Sequence, residues 1–333
     1  MDNENQYWNT SEIEMSNYTI KQFHNFPIDS TCILAFINPE TRSLGILSRP
    51  KSELGHIDTV HLIILHRELA NHNLPGLDAL INSVEDQTTA KSLDLHIHYL
   101  NFFNPEFSTE LFRIFSKENI FTQRPLLDIT TCPPAVMVPL FEVLIGHQQH
   151  TLNIAYSIPA AYNIDLIQEI EGEELESGDI KTYGTTSLDE TNLIIIAGLE
   201  NKKAHTIAEF VNPTEGYLLN NIFSKNVTES TLAKTTMKLH LDLINLENYR
   251  QFNLPRYDLH RILNTFSLLQ NANPDKNLVI SCFGSKIQRL AALFFVSQEE
   301  DRAFIDIVPA DLSFNPISTG LKDILFYSIS RND

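Results

Sequence analysis

The chain has 333 residues, 43% of them hydrophobic, and a formal net charge of −18, so it is long enough for two domains of about 150 residues, each with its own core. An acidic surface repels phosphate backbones and anionic lipids, so we expect neither duplex nucleic acid nor a membrane as a partner. No apolar run reaches the ~18 residues of a spanning helix, and residues 1–6 lack the features of a secretory signal.

Cysteine usage indicates the redox compartment. The chain has three cysteines, an odd number, and each lies in or next to an apolar run: Cys32, Cys132 and Cys282. No two of them have the CxxC spacing of structural zinc sites. We therefore expect buried, reduced thiols and a cytoplasmic protein.

The first half of the chain alternates between strand and helix patterns. Residues 1–25 are polar with scattered aromatic side chains and are predicted to form an N-terminal arm. Predicted strands follow at 32–37, 60–65, 93–100, 125–129 and 152–158, and predicted helices at 66–87, 108–117 and 135–145. Since strands that alternate with helices favour a parallel sheet, residues 26–168 are predicted to form a first Rossmann-like domain.

The second half repeats this plan. Residues 169–191 are acidic and contain Gly and Ser, which predicts a linker or an exposed ribbon. Predicted strands lie at 192–197, 216–221, 239–246, 278–281 and 303–308, and predicted helices at 202–210, 257–270 and 285–296. Residues 192–333 are thus predicted to form a second domain. The fold class that we predict is α/β, with two tandem Rossmann-like domains, mostly parallel sheets and an internal duplication.

Candidate ligand-binding residues lie where predicted strands end and helices begin. Ligands of open parallel sheets bind there, and helix N-termini attract anions. The candidates in the first half are Asn38, Glu40, Arg42, Asp128, Thr130 and Thr131, and those in the second half are Gly198, Glu200, Lys202, Ser281, Gly284, Ser285 and Lys286. Helix capping is the alternative role for Thr130, Thr131 and Ser285. An ion pair is the alternative role for the acid and base in the turn after the first strand of each half, which are Glu40 with Arg42 and Glu200 with Lys202.

Standard catalytic motifs are missing from the sequence. GxxxxGK[ST], GxGxxG, HExxH and GxSxG do not occur, which excludes a P-loop NTPase and leaves no dinucleotide fingerprint. His96 and His98 share one face of a predicted strand. Without a carboxylate or a third histidine at a telling spacing, they do not predict a metal site, and we expect neither a metal nor a cofactor.

Two turns carry a resemblance to a known family. Residues 127–131, a strand followed by hydroxyl side chains and an apolar helix, resemble the second ligand-binding turn of CARF domains. Those are Rossmann-like sensors of cyclic or linear oligoadenylates in prokaryotic immunity. Residues 280–286 are similar and include a small residue followed by Lys286. CARF domains usually carry adjacent glycines before this lysine. Cys132, Pro133 and Pro134 stand there in the first half, so we expect weaker binding or none in that half.

The resemblance implies a regulatory, sensor or accessory subunit of a bacterial multi-protein system, such as anti-phage defence. Such a subunit would bind a nucleotide-like anion and a protein partner or a second copy of itself. One alternative is an enzyme of the glycosidase or transferase type that acts on nucleotides or nucleosides, with Asp128, Glu40 or Glu200 as its acid. That enzyme needs a carboxylate pair with perturbed pKa values in a cleft. The other alternative is a scaffold subunit, whose Rossmann pockets would be filled.

Overall fold

The computed structural model divides into two compact units, Met1–Ala161 with Ser313–Asp333, and Tyr162–Leu312. It describes residues 12–14, 18–23, 26, 29–38, 40–66, 77–147, 151–162, 178–184, 187–188, 190–198, 201–222, 249–308 and 318–332. The predicted strand at 239–246, most of the first turns of the predicted helix at 66–87, and Glu200 lie outside these residues.

The first unit contains eight described strands and three described α-helices. The strands are β1 (Glu12–Glu14), β2 (Tyr18–Phe23), β3 (Cys32–Ile37), β4 (Thr59–His66), β5 (Asp94–Asn101), β6 (Pro125–Asp128), β7 (Leu152–Tyr162) and the C-terminal β14 (Ser318–Arg331). The helices are α1 (Leu77–Ala90), α2 (Phe107–Lys117) and α3 (Pro134–His147). Short 3-10 helices lie at Thr41–Leu44, Lys51–Glu53 and Ile120–Thr122.

The strand order in the first sheet is β1-β2-β14-β7-β6-β3-β4-β5. The five strands from β7 to β5 run parallel to one another. All six residues of β3 are buried, which is expected of a central parallel strand that is covered on both faces. The run at 32–37 is continuously apolar because side chains on both faces of this strand are buried.

The second unit contains six described strands and three described helices. The strands are β8 (Asp179–Gly184), β9 (Thr191–Ile196), β10 (Glu215–Ile222), β11 (Tyr249–Pro255), β12 (Asn277–Cys282) and β13 (Arg302–Val308). The helices are α4 (Asn201–Val211), α5 (Leu259–Asn271) and α6 (Lys286–Val296). The order in the sheet is β11-β10-β9-β12-β13-β8, and β8 alone pairs antiparallel, to the edge of β13.

The two units share one topology. When the five parallel strands of each unit are numbered along the chain, both sheets have the order 3-2-1-4-5. This is the order of a Rossmann-like sheet, in which the chain reverses direction across the sheet between strands 1 and 4. The predicted fold class, two tandem Rossmann-like α/β domains that repeat one plan, is confirmed. Among the described helices, none is both long and apolar enough to cross a membrane.

The domain boundaries differ from the prediction at both ends of the chain. The predicted second domain, 192–333, included the C-terminal segment, but β14 lies next to β7 and pairs antiparallel with β2 in the first unit. Part of the predicted arm, 1–25, is therefore a strand of that sheet. Part of the predicted linker, 169–191, is the edge strand β8. A local pattern indicates a strand but not which sheet it joins, because that depends on cross-strand packing with distant residues.

Candidate functional site

The polar turns that the sequence predicted lie at the switch point of each unit, where the loops after strands 1 and 4 meet. In the first unit these loops are bonded directly to each other. The Asn38 amide Nδ2 donates to the Thr131 carbonyl at 3.2 Å, and Asn38 Oδ1 accepts from the Glu40 N–H at 2.9 Å. Thr131 Oγ1 donates to the Phe36 carbonyl at 2.5 Å. The first crevice is therefore bridged by the chain itself.

A buried ion pair fills the space beside this bridge. Arg42 Nε and Nη2 donate to Glu40 Oε1 at 2.8 and 2.5 Å, and both residues are less than a tenth exposed. Arg42 Nη1 also donates to the Ser157 carbonyl at 2.5 Å. Ser318 Oγ accepts from Arg42 Nη2 at 2.8 Å and donates to Glu40 Oε1 at 2.5 Å. The predicted residues Glu40 and Arg42 thus come together, but as an ion pair of the kind expected from the alternative interpretation.

The charge of Arg42 is secured by its surroundings. Burial by itself would lower the pKa of Arg42, but the neighbouring Tyr156 and Glu40 outweigh it, so that the pKa lies above its ordinary value. The guanidinium is therefore charged, and its acceptors within the unit include Glu40, the Ser157 carbonyl and Ser318. The sequence did not indicate Ser318 or Ser157 as partners, since they lie 276 and 115 residues away along the chain.

Asp128 and Thr130 are also committed to internal bonds. Asp128 Oδ1 accepts from the Thr130 N–H at 2.9 Å, and Thr130 Oγ1 accepts from the Ser157 N–H at 2.8 Å. Both residues are buried. These bonds, like that of Thr131, run within the turn or to the neighbouring strands β7 and β3. The two hydroxyl side chains thus hold the end of β6 against the adjacent strands.

The second unit closes its switch point by backbone contact. The Phe283 N–H donates to the Ile196 carbonyl at 3.0 Å, which joins the segment after β12 to the last residue of β9. A Cβ atom added to Gly198 would lie 1.4 Å from the Phe283 carbonyl oxygen. Gly198, predicted to contact a ligand, is therefore required by the close approach of the chain's own backbone.

Ser285 caps helix α6, as the alternative interpretation of its hydroxyl expected. Ser285 Oγ accepts from the Gln288 N–H at 3.2 Å, and the Ser285 N–H donates to Gln288 Oε1 at 2.8 Å, which is a complete capping box. Gln288 Nε2 further donates to Asn221 Oδ1 at 2.6 Å and to the Pro255 carbonyl at 3.0 Å. A Cβ on Gly284 would lie 2.1 Å from Gln288 Oε1. The residues predicted from the sequence did not include Gln288, although a Ser-x-x-Gln spacing before an apolar run is the signal of this motif.

The remaining candidates of the second unit do not form one described cluster. Ser281 is fully buried within β12. Lys286 is the first residue of α6 and is partly exposed, in a first turn that contains no acidic residue. Lys202 lies in the first turn of α4, but its side chain is outside the described part of the chain, as is Glu200.

A surface depression of about 800 Å³ lies elsewhere in the second unit. It is bordered by the end of α5, the segment after α6 and the start of β13, and its lining includes Gln270, Gln298, Glu299, Glu300, Asp301 and Arg302. None of the predicted site residues lines it. Its three carboxylates oppose a phosphate group, so it does not fit the predicted anionic ligand.

No protein-family model and no curated protein matches this chain. Among the solved structures with a distant similarity to it are the following two. The cytoplasmic domain of a prokaryotic cation chloride cotransporter is 10% identical, with a TM-score of 0.27, and the alignment covers 84% of this chain and 96% of that one. An ABC transporter solute-binding protein from Burkholderia multivorans is 12% identical, with a TM-score of 0.21, over 72% and 74% of the two chains. At these scores neither structure bears on the function.

Proposed function

We propose that this protein is an accessory subunit of a multi-protein assembly, in which the two Rossmann-like units serve as a scaffold and not as nucleotide-binding sites. The observation that carries the proposal is that the segments after strands 1 and 4 contact each other directly, through the Asn38–Thr131 hydrogen bond in the first unit and the close approach of Gly198 and Phe283 in the second. In Rossmann-like proteins a ligand lies between these loops. Here a ligand would have to displace contacts that the chain makes with itself.

The contacts that a ligand must displace to enter the crevice differ between the two units. In the first, a ligand would have to replace the Asn38–Thr131 hydrogen bond, next to a buried Glu40–Arg42 pair whose separation would leave buried charges unpaired. In the second, the contact at Gly198 is made by backbone atoms, which no rotamer change moves aside. Both features support a framework role.

The described carboxylates also favour a non-catalytic protein. Of the three candidate acids of an enzyme, Glu40 and Asp128 lie within the described residues and Glu200 does not. Glu40 is bonded to Arg42 and Ser318, and Asp128 accepts from the Thr130 N–H. A general acid must reach a substrate in a cleft, whereas both of these side chains are buried and bonded within the unit.

Sensing of a nucleotide-like anion is the second candidate function, and one observation favours it in the second unit. Lys286 opens α6 in a first turn without any acid, so the charge there suits an anion. The capping box works against this role, because the N–H groups of Ser285 and Gln288 already have acceptors. The link to CARF domains and to prokaryotic defence stays a prediction.

Calorimetry of the full chain against mono-, di- and oligonucleotides, including cyclic oligoadenylates, separates the two functions. A scaffold gives no binding at micromolar ligand. A sensor gives binding that Lys286→Glu weakens by about 1.5–3 kcal/mol, a typical loss for a charge-assisted hydrogen bond. Lys322→Glu is the matched control, since Lys322 is an exposed lysine on β14 of the other unit. Nucleotide binding that depends on Lys286 but not on Lys322 would overturn the scaffold proposal. Native mass spectrometry of the protein purified from its source is expected to show a companion chain or a second copy.

A further inference from the structure

Three histidines and a glutamate meet on one face of the first sheet. β4 and β5 are parallel and in register, with His61 opposite His96 and Ile63 opposite His98. The ring centroids of His61 and His96 are 4.9 Å apart, and those of His61 and His98 are 5.5 Å apart. The cluster lies along the strands and not at their carboxyl ends, so it is separate from the crevice described above.

Glu118 completes this cluster from the end of helix α2. Its Oε2 lies 3.3 Å from His96 Nδ1. One ligand atom from each of His61, His96 and Glu118 lies within 4.8 Å of the other two. Glu118 is the C-cap residue of α2, where the helix dipole places partial negative charge. The end of the helix and the carboxylate therefore both favour a cation. Lys117 opposes it, but its ammonium is 4.0 Å from Glu118 and 81% exposed, so solvent screens it.

Only one of the two ring nitrogens of His61 has a hydrogen-bond partner among the described residues. Its Nδ1 lies 3.2 Å from His98 Nε2. Its Nε2 is buried and has no hydrogen-bond partner among the residues that the structure describes. An unpartnered buried polar atom is costly unless something binds it.

We infer that His61, His96 and Glu118 form a binding site for one divalent transition-metal ion of the zinc type, with His98 as the positioning residue. Two imidazoles and one carboxylate, with a water in the fourth place, form a set that zinc accepts in tetrahedral sites. Zn–N bonds of about 2.0–2.1 Å require ligand atoms about 3.3 Å apart. The His96–Glu118 pair already has this spacing. Ligand atoms up to 4.8 Å apart close to it through small rotations of side chains.

The donor atoms decide the class of metal. Mg²⁺ and Ca²⁺ prefer sites built from oxygen, whereas imidazole nitrogen selects Zn²⁺, Cu²⁺, Ni²⁺ and Co²⁺. A histidine that binds a metal usually bonds its other nitrogen to an outer partner, which fixes the ring. The contact between His61 and His98 has this form. The metal would join β4, β5 and the end of α2, and would thereby stabilise the first unit.

The test uses the full chain, stripped of metal with a chelator. Zn²⁺ is titrated by calorimetry with metal content measured by mass spectrometry, and Co²⁺ is added as a spectroscopic probe. We expect one ion per chain, visible Co²⁺ bands of tetrahedral intensity and a raised unfolding temperature. Mg²⁺ is expected to produce none of these changes. Wild-type protein that binds no Zn²⁺ or Co²⁺ overturns the inference.

Variants identify the ligands. His96→Gln and Glu118→Gln are expected to weaken Zn²⁺ binding by about 100-fold or more, and His98→Gln by the 10–100-fold typical of an outer partner. His98→Gln is also expected to leave the Co²⁺ band positions unchanged, so a shift of those bands would overturn its positioning role. The matched control is His205→Gln, because His205 Nδ1 also lies 3.3 Å from a glutamate, Glu209, on the exposed face of α4.

The variants at His96 and Glu118 are the decisive tests of the metal site. Neither side chain is fully buried, so we expect these substitutions to spare the fold. His61→Gln is informative where it folds, as judged by circular dichroism, and is then expected to abolish binding. If His96→Gln and Glu118→Gln bind Zn²⁺ as tightly as His205→Gln does, the metal lies elsewhere and the inference is wrong.

Discussion

Arg289 and Asp306 form a buried ion pair in the second unit, with Arg289 Nη1 2.5 Å from Asp306 Oδ2 and both side chains 5% exposed. The same guanidinium donates to the Cys282 carbonyl at 2.7 Å and lies over the Phe304 ring. In the first unit, Arg42 likewise pairs with a carboxylate and donates to a strand carbonyl. Each unit therefore uses one buried arginine to tie a strand to the segment that follows strand 1 or strand 4.

Removal of one partner from this pair is expected to be costly. Arg289→Met leaves the Asp306 carboxylate buried and unpaired, so we expect the free energy of unfolding of the second unit to fall by about 3–5 kcal/mol. The double change Arg289→Met with Asp306→Leu removes both charges, so it is expected to recover most of that loss. Urea denaturation followed by fluorescence and circular dichroism measures both. A double variant no more stable than the single variant would show that packing of the guanidinium, and not its charge, is what matters.

The fully buried Ile195 tests the central strand β9 of the second unit. Ile195→Ala removes core methyl groups and is expected to lower the free energy of unfolding by about 2–5 kcal/mol. Leu268→Ala is the control, because Leu268 is 70% exposed on α5 and its change should cost less than about 0.5 kcal/mol. If denaturation gave equal losses for the two variants, the assignment of β9 to the core would be wrong.

Two glycines with opposite surroundings test the closure of the second crevice. Gly198→Ala forces the Phe283 carbonyl away from the loop after β9, and we expect a loss of about 1–3 kcal/mol in the free energy of unfolding. Gly146→Ala meets nothing within 4 Å and lies in helix α3, so we expect a gain of about 0.5–1 kcal/mol. Thermal unfolding of both variants beside the wild type gives the comparison. A neutral Gly198→Ala would mean that the two loops are not packed against each other.

The cysteines are expected to be unreactive in the folded protein. Burial raises the pKa of Cys32 and of Cys282 to about 12, and all three cysteines are buried and free. At pH 8 a thiol with this pKa is ionised in about one molecule in ten thousand, and the thiolate is the reactive form. Titration with a thiol reagent at pH 8 should therefore find few reactive groups in native protein and three in urea. A rise in pH toward 12 should increase the rate, and a thiol that reacts within seconds at pH 8 would contradict the burial.

Part of the candidate site was readable from local sequence. The apolar runs at β3, β6, β9 and β12 predicted central parallel strands, and each pairs in parallel as expected. Ser285 and Gln288 form a capping box, which requires only a spacing of three residues. The ion pair of Glu40 and Arg42, two residues apart, was one of the two alternatives that the sequence left open. Such features depend on neighbours in the chain, so their physical cause is present in a short segment.

By itself the sequence determined the α/β class, the repeated plan and the central strands, because the apolar periodicity of a buried strand or helix is a local property. Only the tertiary structure decided which sheet the C-terminal strand joins, that Ser318 lies against Glu40, and that His61 and Glu118 lie beside His96. These contacts join residues that are 278, 35 and 22 positions apart along the chain. Strand register and helix placement bring them together, and both are set by the packing of the whole unit.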